Sequence, residues 1–116
     1  MKFLLLIRGE DKWAELSATE MQEAVEKYRR WAGELQRQER LVDAAGLDPQ
    51  VRNLKTESGK VLISQGPFAE TSELVGGFYL FTADSWEEAV EIAKGCPTLG
   101  YGGRIELRTE MDYSGG

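Results

Sequence analysis

The chain of 116 residues contains no histidine and a single cysteine, Cys96. Without imidazole, Ser-His-Asp triads, histidine-ligated zinc and haem held by a proximal histidine are all excluded. One thiol cannot form an intrachain disulfide or a paired-cysteine site. We therefore expect no metal and no cofactor, and any catalysis must use carboxylates, tyrosine, lysine, arginine, hydroxyls or that thiol.

Long apolar runs and an excess of positive charge are also missing. The longest uninterrupted apolar run is Phe3–Ile7, far short of the roughly 20 residues that a membrane span needs. Twenty acidic against 14 basic residues give a net charge of −6. Because nucleic-acid binders present a basic face, we expect a cytoplasmic protein that binds neither nucleic acid nor membranes.

Two helices begin at capping patterns. Ser17 and Glu20 form a capping box before apolar residues at helical spacing, which predicts a helix from about residue 18 to residue 39. Ser85 and Glu88 repeat the pattern before a shorter apolar stripe. The sequence therefore predicts one long and one short amphipathic helix.

Glycines mark further local structures. Gly95 stands where a C′ glycine ends a helix, and Pro97 follows as a stop signal. Gly33 lies inside the first helix, where glycine costs up to about 1 kcal/mol relative to alanine, so we expect close packing there. The glycines among residues 98–103 do not open a helix after a strand, and we interpret them as a flexible connection.

Four strand signals surround the helices. Residues 3–7 and 77–82 are continuous apolar runs, which predict central strands buried on both faces. Residues 41–47 and 104–108 predict outer strands. The two strand–helix–strand halves predict a ferredoxin-like α+β fold, in which an antiparallel sheet carries two helices on one face.

A hairpin joins the two halves. Residues 51–56 and 60–65 flank Glu57-Ser58-Gly59, which predicts two short strands and a tight turn. We expect a single domain over residues 1–109, followed by a polar tail at residues 110–116.

Two helices can cover only one face of such a sheet. Residues 3–7 and 77–82 nevertheless place large apolar side chains on both faces. A soluble monomer rarely exposes an apolar patch of this size. We therefore expect a homodimer in which the uncovered faces of two sheets pack together.

Several segments resemble one family. GPFAETSE at residues 66–73, followed by GGFYL at residues 76–80, resembles the motif of the DGPF group in the YCII-related family. KFLLLIRG at residues 2–9, the Cys96-Pro97 pair and the strand at residues 105–108 resemble the same group.

The resemblance covers about residues 2–109 and implies a dimeric α/β barrel, a fold shared with small isomerases and monooxygenases. Gln65 stands where the group has aspartate, and Ser72 where it has lysine. The wider family includes members with a proposed His/Asp pair, which this chain lacks. The resemblance implies no particular reaction, and members are associated with extracytoplasmic-function sigma factors.

The segment at residues 65–77 is the leading candidate for a functional loop, because loops of this length in a compact domain are often functional. Its carboxylates, Glu70 and Glu73, are the candidate catalytic groups for proton transfer. Arg8 ends the first central strand and would hold a substrate carboxylate through paired hydrogen bonds. The remaining candidate ligand-binding residues are Tyr28, Gln65, Phe68, Thr71, Ser72 and Tyr79.

Each candidate has a structural alternative. The loop would be a structural Ω-loop anchored by Phe68, Arg8 would form an ion pair with an acid, and the tyrosines would belong to the core. Cys96 follows a helix C-terminus, whose negative dipole end raises a thiol pKa, so we do not expect a nucleophile there.

Two functions follow as hypotheses. In the first, the protein binds or transforms a small organic acid beside the 65–77 loop by carboxylate-based proton transfer. In the second, it is a regulatory module that acts with a sigma factor. That second hypothesis rests on the association of the family, and the acidic second half of the chain would meet a basic partner surface.

Overall fold

The computed structural model describes residues 1–9, 15–65 and 75–113. Strands and helices follow in this order: β1 (Lys2–Arg8), α1 (Ala18–Arg37), β2 (Leu41–Gly46), β3 (Asn53–Glu57), β4 (Lys60–Ser64), β5 (Gly77–Thr82), α2 (Trp86–Lys94) and β6 (Arg104–Thr109). A 3-10 helix at Pro97–Tyr101 joins α2 to β6. Within these residues, no helix combines the length and the apolar character that crossing a membrane requires.

Four strands form one antiparallel sheet in the order β2-β5-β1-β6. The central strands, β1 and β5, are the two whose apolar runs are unbroken, as predicted. Phe3 lies opposite Phe81, and Leu5 lies opposite Tyr79 on β5 and Leu107 on β6. This strand order, with two helices, confirms the predicted ferredoxin-like α+β fold.

The two faces of the sheet have different surroundings. On the helix face, Phe3, Leu5 and Phe81 are completely buried, and Ala89 and Ala93 of α2 belong to the same cluster. Side chains of α1 pack against that cluster as well. The other face, which we call the open face, carries four partly buried apolar side chains: Leu4, Leu6, Phe78 and Leu80.

The capping box at the start of α1 is confirmed. The Ser17 hydroxyl accepts from the Glu20 amide at 3.1 Å, and the Glu20 carboxylate accepts from the Ser17 amide at 3.0 Å. These hydrogen bonds hold the pKa of the Glu20 carboxyl below its usual range. The helix ends at Arg37, two residues before the predicted end.

At α2 only half of the predicted capping box forms. The Ser85 hydroxyl accepts from the Glu88 amide at 3.1 Å. The Glu88 carboxylate accepts instead from the Asp84 amide at 3.0 Å and from the Arg40 guanidinium at 2.6 Å. The Arg40 guanidinium, just before β2, thus takes the place of the Ser85 amide that would complete the capping box. Its charged hydrogen bond links α2 to the sheet.

Two glycine predictions are wrong. Gly95 has an ordinary helical φ of −81° and not the left-handed conformation of a C′ glycine. Its role is to leave space, because a Cβ there would lie 3.2 Å from Cδ1 and Nε1 of Trp31. Gly33 is exposed and a Cβ there would meet nothing within 4 Å, so the expected close packing is absent.

The glycine-rich stretch before β6 is also more regular than expected. Pro97 begins a 3-10 helix, and Gly102 ends it with a left-handed φ of 80°. Proline presets the φ of the first residue and glycine accepts the left-handed end, so local sequence favours this turn. The prediction of a flexible connection is therefore wrong.

The predicted hairpin is present with shorter strands. β3 and β4 form a second, two-stranded sheet in which Glu57 pairs with Lys60 across the turn. Ser58 and Gly59 both have positive φ, 52° and 77°, which is the two-residue turn that matches the twist of paired strands. The two strands contact each other extensively and the four-stranded sheet at most marginally.

The contrast between the two glycines gives the first prediction. Gly95→Ala should lower the free energy of unfolding by about 1 kcal/mol, because Trp31 is held between Gly95 and Tyr79 and has little room to move. Gly33→Ala, the matched control, should raise it by about 0.5–1 kcal/mol. Urea denaturation of the two variants measures both values, and equal effects would contradict the packing argument.

Candidate functional site

A small polar cluster interrupts the apolar core on the helix face. Tyr28 of α1 shares a hydrogen bond with the Thr98 hydroxyl of the 3-10 helix. The Thr98 oxygen also lies 3.5 Å from the Cys96 sulfur. Among the described residues, Thr98 is the only polar one that is buried. We call Tyr28, Cys96 and Thr98 the hydroxyl cluster.

The groups of this cluster stay protonated at neutral pH. Burial raises the pKa of Tyr28 to about 12, although its hydrogen bond to Thr98 opposes the shift. Burial likewise raises the pKa of the Cys96 thiol and of Tyr79. Cys96 is therefore a neutral thiol, as predicted. The main cause of its raised pKa is burial, however, and not the helix dipole that the sequence analysis named. The cluster offers hydrogen-bond donors and no base.

Tyr79 lies close to the cluster on the same face of the sheet. Its ring meets the Trp31 indole edge to face, with the centroids 4.8 Å apart. Trp31 is fixed in turn by a hydrogen bond of 3.1 Å from its Nε1 to the Ile92 carbonyl. The structure thus brings Tyr28 and Tyr79 together against the core.

Arg8 lies on the opposite face. It is the last residue of β1, and its side chain forms an ion pair with Glu106 of β6 at 3.4 Å. In register it stands opposite Arg104, and like charges in that position destabilise a strand pair unless an acid offsets them. Glu106 is such an acid, and the sequence analysis did not single it out.

Close glycine packing joins these two groups at the end of the sheet. A Cβ on Gly103 would lie 2.6 Å from the Thr98 methyl carbon and 3.2 Å from the Arg8 carbonyl oxygen. Gly9 has a φ of 115° and approaches Gly103 just as closely. Because neither glycine carries a side chain, Gly103 alone fills the space between Thr98 of the hydroxyl cluster and the Arg8 backbone at the end of β1.

The candidate loop rejoins the sheet at the same end. The Gly76 amide donates to the Ile7 carbonyl at 2.8 Å, and the Gly76 carbonyl accepts from Leu47 at 3.0 Å. Gln65 is exposed after β4. The other candidates on this segment lie outside the described residues: Phe68, Glu70, Thr71, Ser72 and Glu73.

A depression of about 470 Å³ lies between α1 and the 3-10 helix, outside the hydroxyl cluster. Lys27 and Arg30 supply its positive charge, and Trp31 and Tyr101 supply aromatic surface. The Lys27 ammonium lies 5.3 Å from the centre of the Tyr101 ring. Sequence reasoning missed this site because both cations look like surface partners of acids along α1. Their spacing around Trp31 was the available signal.

Metal chemistry has no visible donor set in the described ranges. Across residues 1–9, 15–65 and 75–113, no three histidine, cysteine, aspartate or glutamate side chains cluster in a way that could hold an ion.

Comparison with known proteins gives one family. The sequence model of the YCII-related domain matches residues 1–109. An uncharacterised protein of Rhizobium meliloti is 35% identical over 65 residues, which are 49% of this chain and 52% of that protein. The chain thus spans about half the length of the curated relative that it matches.

A solved structure has the same fold. It is 5-chloro-2-hydroxyhydroquinone dehydrochlorinase of Burkholderia phenoliruptrix AC1100, in complex with 2,5-dihydroxybenzoquinone. The TM-score is 0.51 at 14% identity, and the match covers 96% of this chain and 94% of that one. At this identity the likeness shows the fold alone.

Stability should depend on Tyr28 at high pH. Because the folded-state pKa of about 12 exceeds the ordinary value of 10, the folded protein keeps a proton that the unfolded chain loses in this window. Stability should therefore be complete below about pH 10 and fall as the pH rises towards 12. An absorbance titration of tyrosinate should show a late step that Tyr28→Phe diminishes, and Tyr79, whose pKa is also raised, contributes the remainder.

Tyr113→Phe is the control for that titration, because Tyr113 is 86% exposed and lies in the tail. Its removal should leave the late step in place. A Tyr28→Phe protein that keeps the full late step would show that the hydroxyl cluster does not hold its proton.

Proposed function

We propose that this chain, which belongs to the YCII-related family, binds a small organic acid at the end of the sheet where β1 ends and β5 begins, and transforms it by proton transfer in the cytoplasm. One observation carries the proposal. The hydrogen bond from the Gly76 amide to the Ile7 carbonyl brings Gly76 to the end of β1, next to Arg8, and Glu70 and Glu73 precede Gly76 by only a few residues in the sequence.

The residues divide the work by their chemistry. The Arg8 guanidinium binds the carboxylate of the ligand, since paired N–H donors match a carboxylate well. Tyr28 and Thr98 lie on the helix face, beyond the end of the sheet as seen from the Arg8 side chain on the open face. Tyr28 donates a hydrogen bond as a neutral phenol. Gly9 and Gly103 place no side chain between the two groups. Gln65, Phe68, Thr71 and Ser72 are proposed to orient the ligand, whereas Tyr79 lies across the sheet from Arg8 and packs against Trp31.

The base comes from the loop. Because Tyr28 and Cys96 hold their protons at neutral pH, the hydroxyl cluster cannot accept one. Glu70 or Glu73 would take a proton from a carbon of the ligand, and the freed electron pair would form a double bond. In an isomerisation a neighbouring double bond of the ligand opens and its electron pair takes the proton back at another atom, whereas in an elimination a leaving group departs with its bonding electrons.

The structural neighbour supports the size of ligand. Its complex contains 2,5-dihydroxybenzoquinone, a single oxygenated ring, and its name describes a dehydrochlorinase. A fold of this kind therefore accommodates a small oxygenated molecule. The ligand class proposed for this chain rests on its own Arg8, Tyr28 and carboxylates.

A ligand screen tests the proposal. Small carboxylic acids and lactones are screened for thermal stabilisation, and we expect at least one to raise the melting temperature. Arg8→Ala should weaken its binding about tenfold or more, which corresponds to the loss of a charged hydrogen-bonded partner. Arg29→Ala is the control, because Arg29 is exposed on α1 and pairs only locally with Glu26.

Two further variants locate the chemistry. Glu70→Gln or Glu73→Gln should keep binding and abolish exchange of a ligand proton with deuterated water, observed by NMR. If Arg30→Ala removes binding and Arg8→Ala does not, the ligand occupies the depression beside Trp31 and our placement is wrong. If no acid or lactone in a broad panel stabilises the protein, the proposed function itself fails.

We also propose that the protein is a homodimer whose open faces pack together. Full burial of a large apolar side chain contributes about 1.5–3 kcal/mol. Leu4, Leu6, Phe78 and Leu80 are already partly buried, so each gains only a fraction of that. Association costs about 4–15 kcal/mol in lost freedom. The free energy gained by covering the open face is therefore too small to offset this cost alone. The proposed interface needs the open face and further contacts beside it.

Light scattering coupled to size-exclusion chromatography tests the dimer. The subunit mass is 13.0 kDa, and we expect twice that value at micromolar concentration. Leu6→Asp should reduce the mass to one subunit, because it buries a charge in the interface. Val25→Asp, at an exposed position of α1, should leave the dimer intact. A wild-type mass of one subunit would contradict the proposal.

A further inference from the structure

The hairpin formed by β3 and β4 has one strongly apolar face. Leu54 lies opposite Ile63 and Thr56 lies opposite Val61, so these four side chains share a face of the ribbon. Leu54, Val61 and Ile63 are 61%, 62% and 68% exposed. Isolated exposed aliphatics are normal, but a contiguous group of this kind marks an interaction surface.

Among residues 1–9, 15–65 and 75–113, little covers the hairpin. A two-stranded ribbon is marginally stable in water unless it packs against another surface, and its contacts with the four-stranded sheet are marginal at most. Within the part of the chain that the structure describes, the apolar face of the hairpin is therefore exposed to solvent.

Charge indicates what covers it. Over residues 52–64 the hairpin has three basic residues, Arg52, Lys55 and Lys60, against one acid, Glu57. With +2 on the hairpin and −6 on the whole chain, the remaining residues carry −8. A basic arm and an acidic body in the same chain are complementary between two copies of that chain.

The area of the interface points the same way. A stable interface buries about 800 Å² on each partner, close to a tenth of the 8390 Å² surface of this chain. The open face supplies only partly buried side chains for that purpose. The hairpin supplies three of the most exposed aliphatic side chains of the described residues.

We propose that the hairpin is an exchanged arm. In each protomer the face formed by Leu54, Thr56, Val61 and Ile63 packs on a second copy of the chain, at the margin of its open face. A two-fold axis repeats the contact, so the assembly closes as a dimer. This inference rests on the proposed dimer and extends it. Because Gln65 directly follows β4, the arm also sets where Gln65 lies.

Two matched pairs of substitutions test the arm. Leu54→Thr with Ile63→Thr removes one apolar cross-strand pair and puts β-branched residues, which favour a strand, in its place. Asn53→Thr with Leu62→Thr changes two residues of the opposite face and leaves the charge of the hairpin unchanged. The first pair should raise the dimer dissociation constant about tenfold or more, and the second by less than about threefold. Circular dichroism checks that both variants fold.

A cross-linking experiment gives an independent readout. A photoreactive cross-linker is attached at Ile63→Cys in protein that mixes light and heavy isotope labels, while Cys96 is buried and protected. Cross-links between a light and a heavy chain are expected, and links within one chain only would show that the hairpin folds onto its own body.

The outcomes separate the two proposals. If the wild-type dimer forms and Leu54→Thr with Ile63→Thr leaves its dissociation constant unchanged, the arm is overturned and the sheet-to-sheet dimer stands. If the wild-type protein is a monomer at every concentration, both the dimer and the arm are overturned. Ligand binding at the end of the sheet is measured separately with Arg8→Ala, so that failure of the arm is distinguished from failure of the proposed function.

Discussion

The pairing of β1 with β5 is the contact on which the rest of the structure depends. Both strands carry large apolar side chains on both faces, so neither face of the sheet centre can remain in water. The helices satisfy one side, where Phe3 and Phe81 are fully buried. The other side carries the partly buried apolar residues that the proposed dimer would cover. Folding and the proposed association would thus both follow from the same sequence feature.

Local signals predicted most of the fold because they act over a few residues. The Ser17 capping box, the apolar runs of β1 and β5 and the tight turn at Gly59 each specify their own structure. Gly95 could not be interpreted in this way. Its sequence position suits a helix end, whereas its actual constraint is the Trp31 ring, which is distant in sequence.

The candidate site was predictable only in part for the same reason. Arg8 and Glu106 meet because the register of β1 with β6 aligns them, and no pattern within either strand specifies that register. The separation of Arg8 from Tyr28 and Tyr79 by the sheet likewise follows from alternation combined with tertiary packing. The sequence indicated which residue types could act, and the fold decided which of them face each other.

The core and the proposed reaction need groups in different protonation states. Buried phenol and thiol groups remain neutral, so Tyr28 and Cys96 can pack tightly in the core without the cost of a buried charge. A carboxylate base cannot share that environment and stay ionised without a partner. In the proposed mechanism the two tasks are therefore divided: the core supplies a hydrogen-bond donor in Tyr28, and Glu70 and Glu73, which belong to a different segment of the sequence, would supply the base.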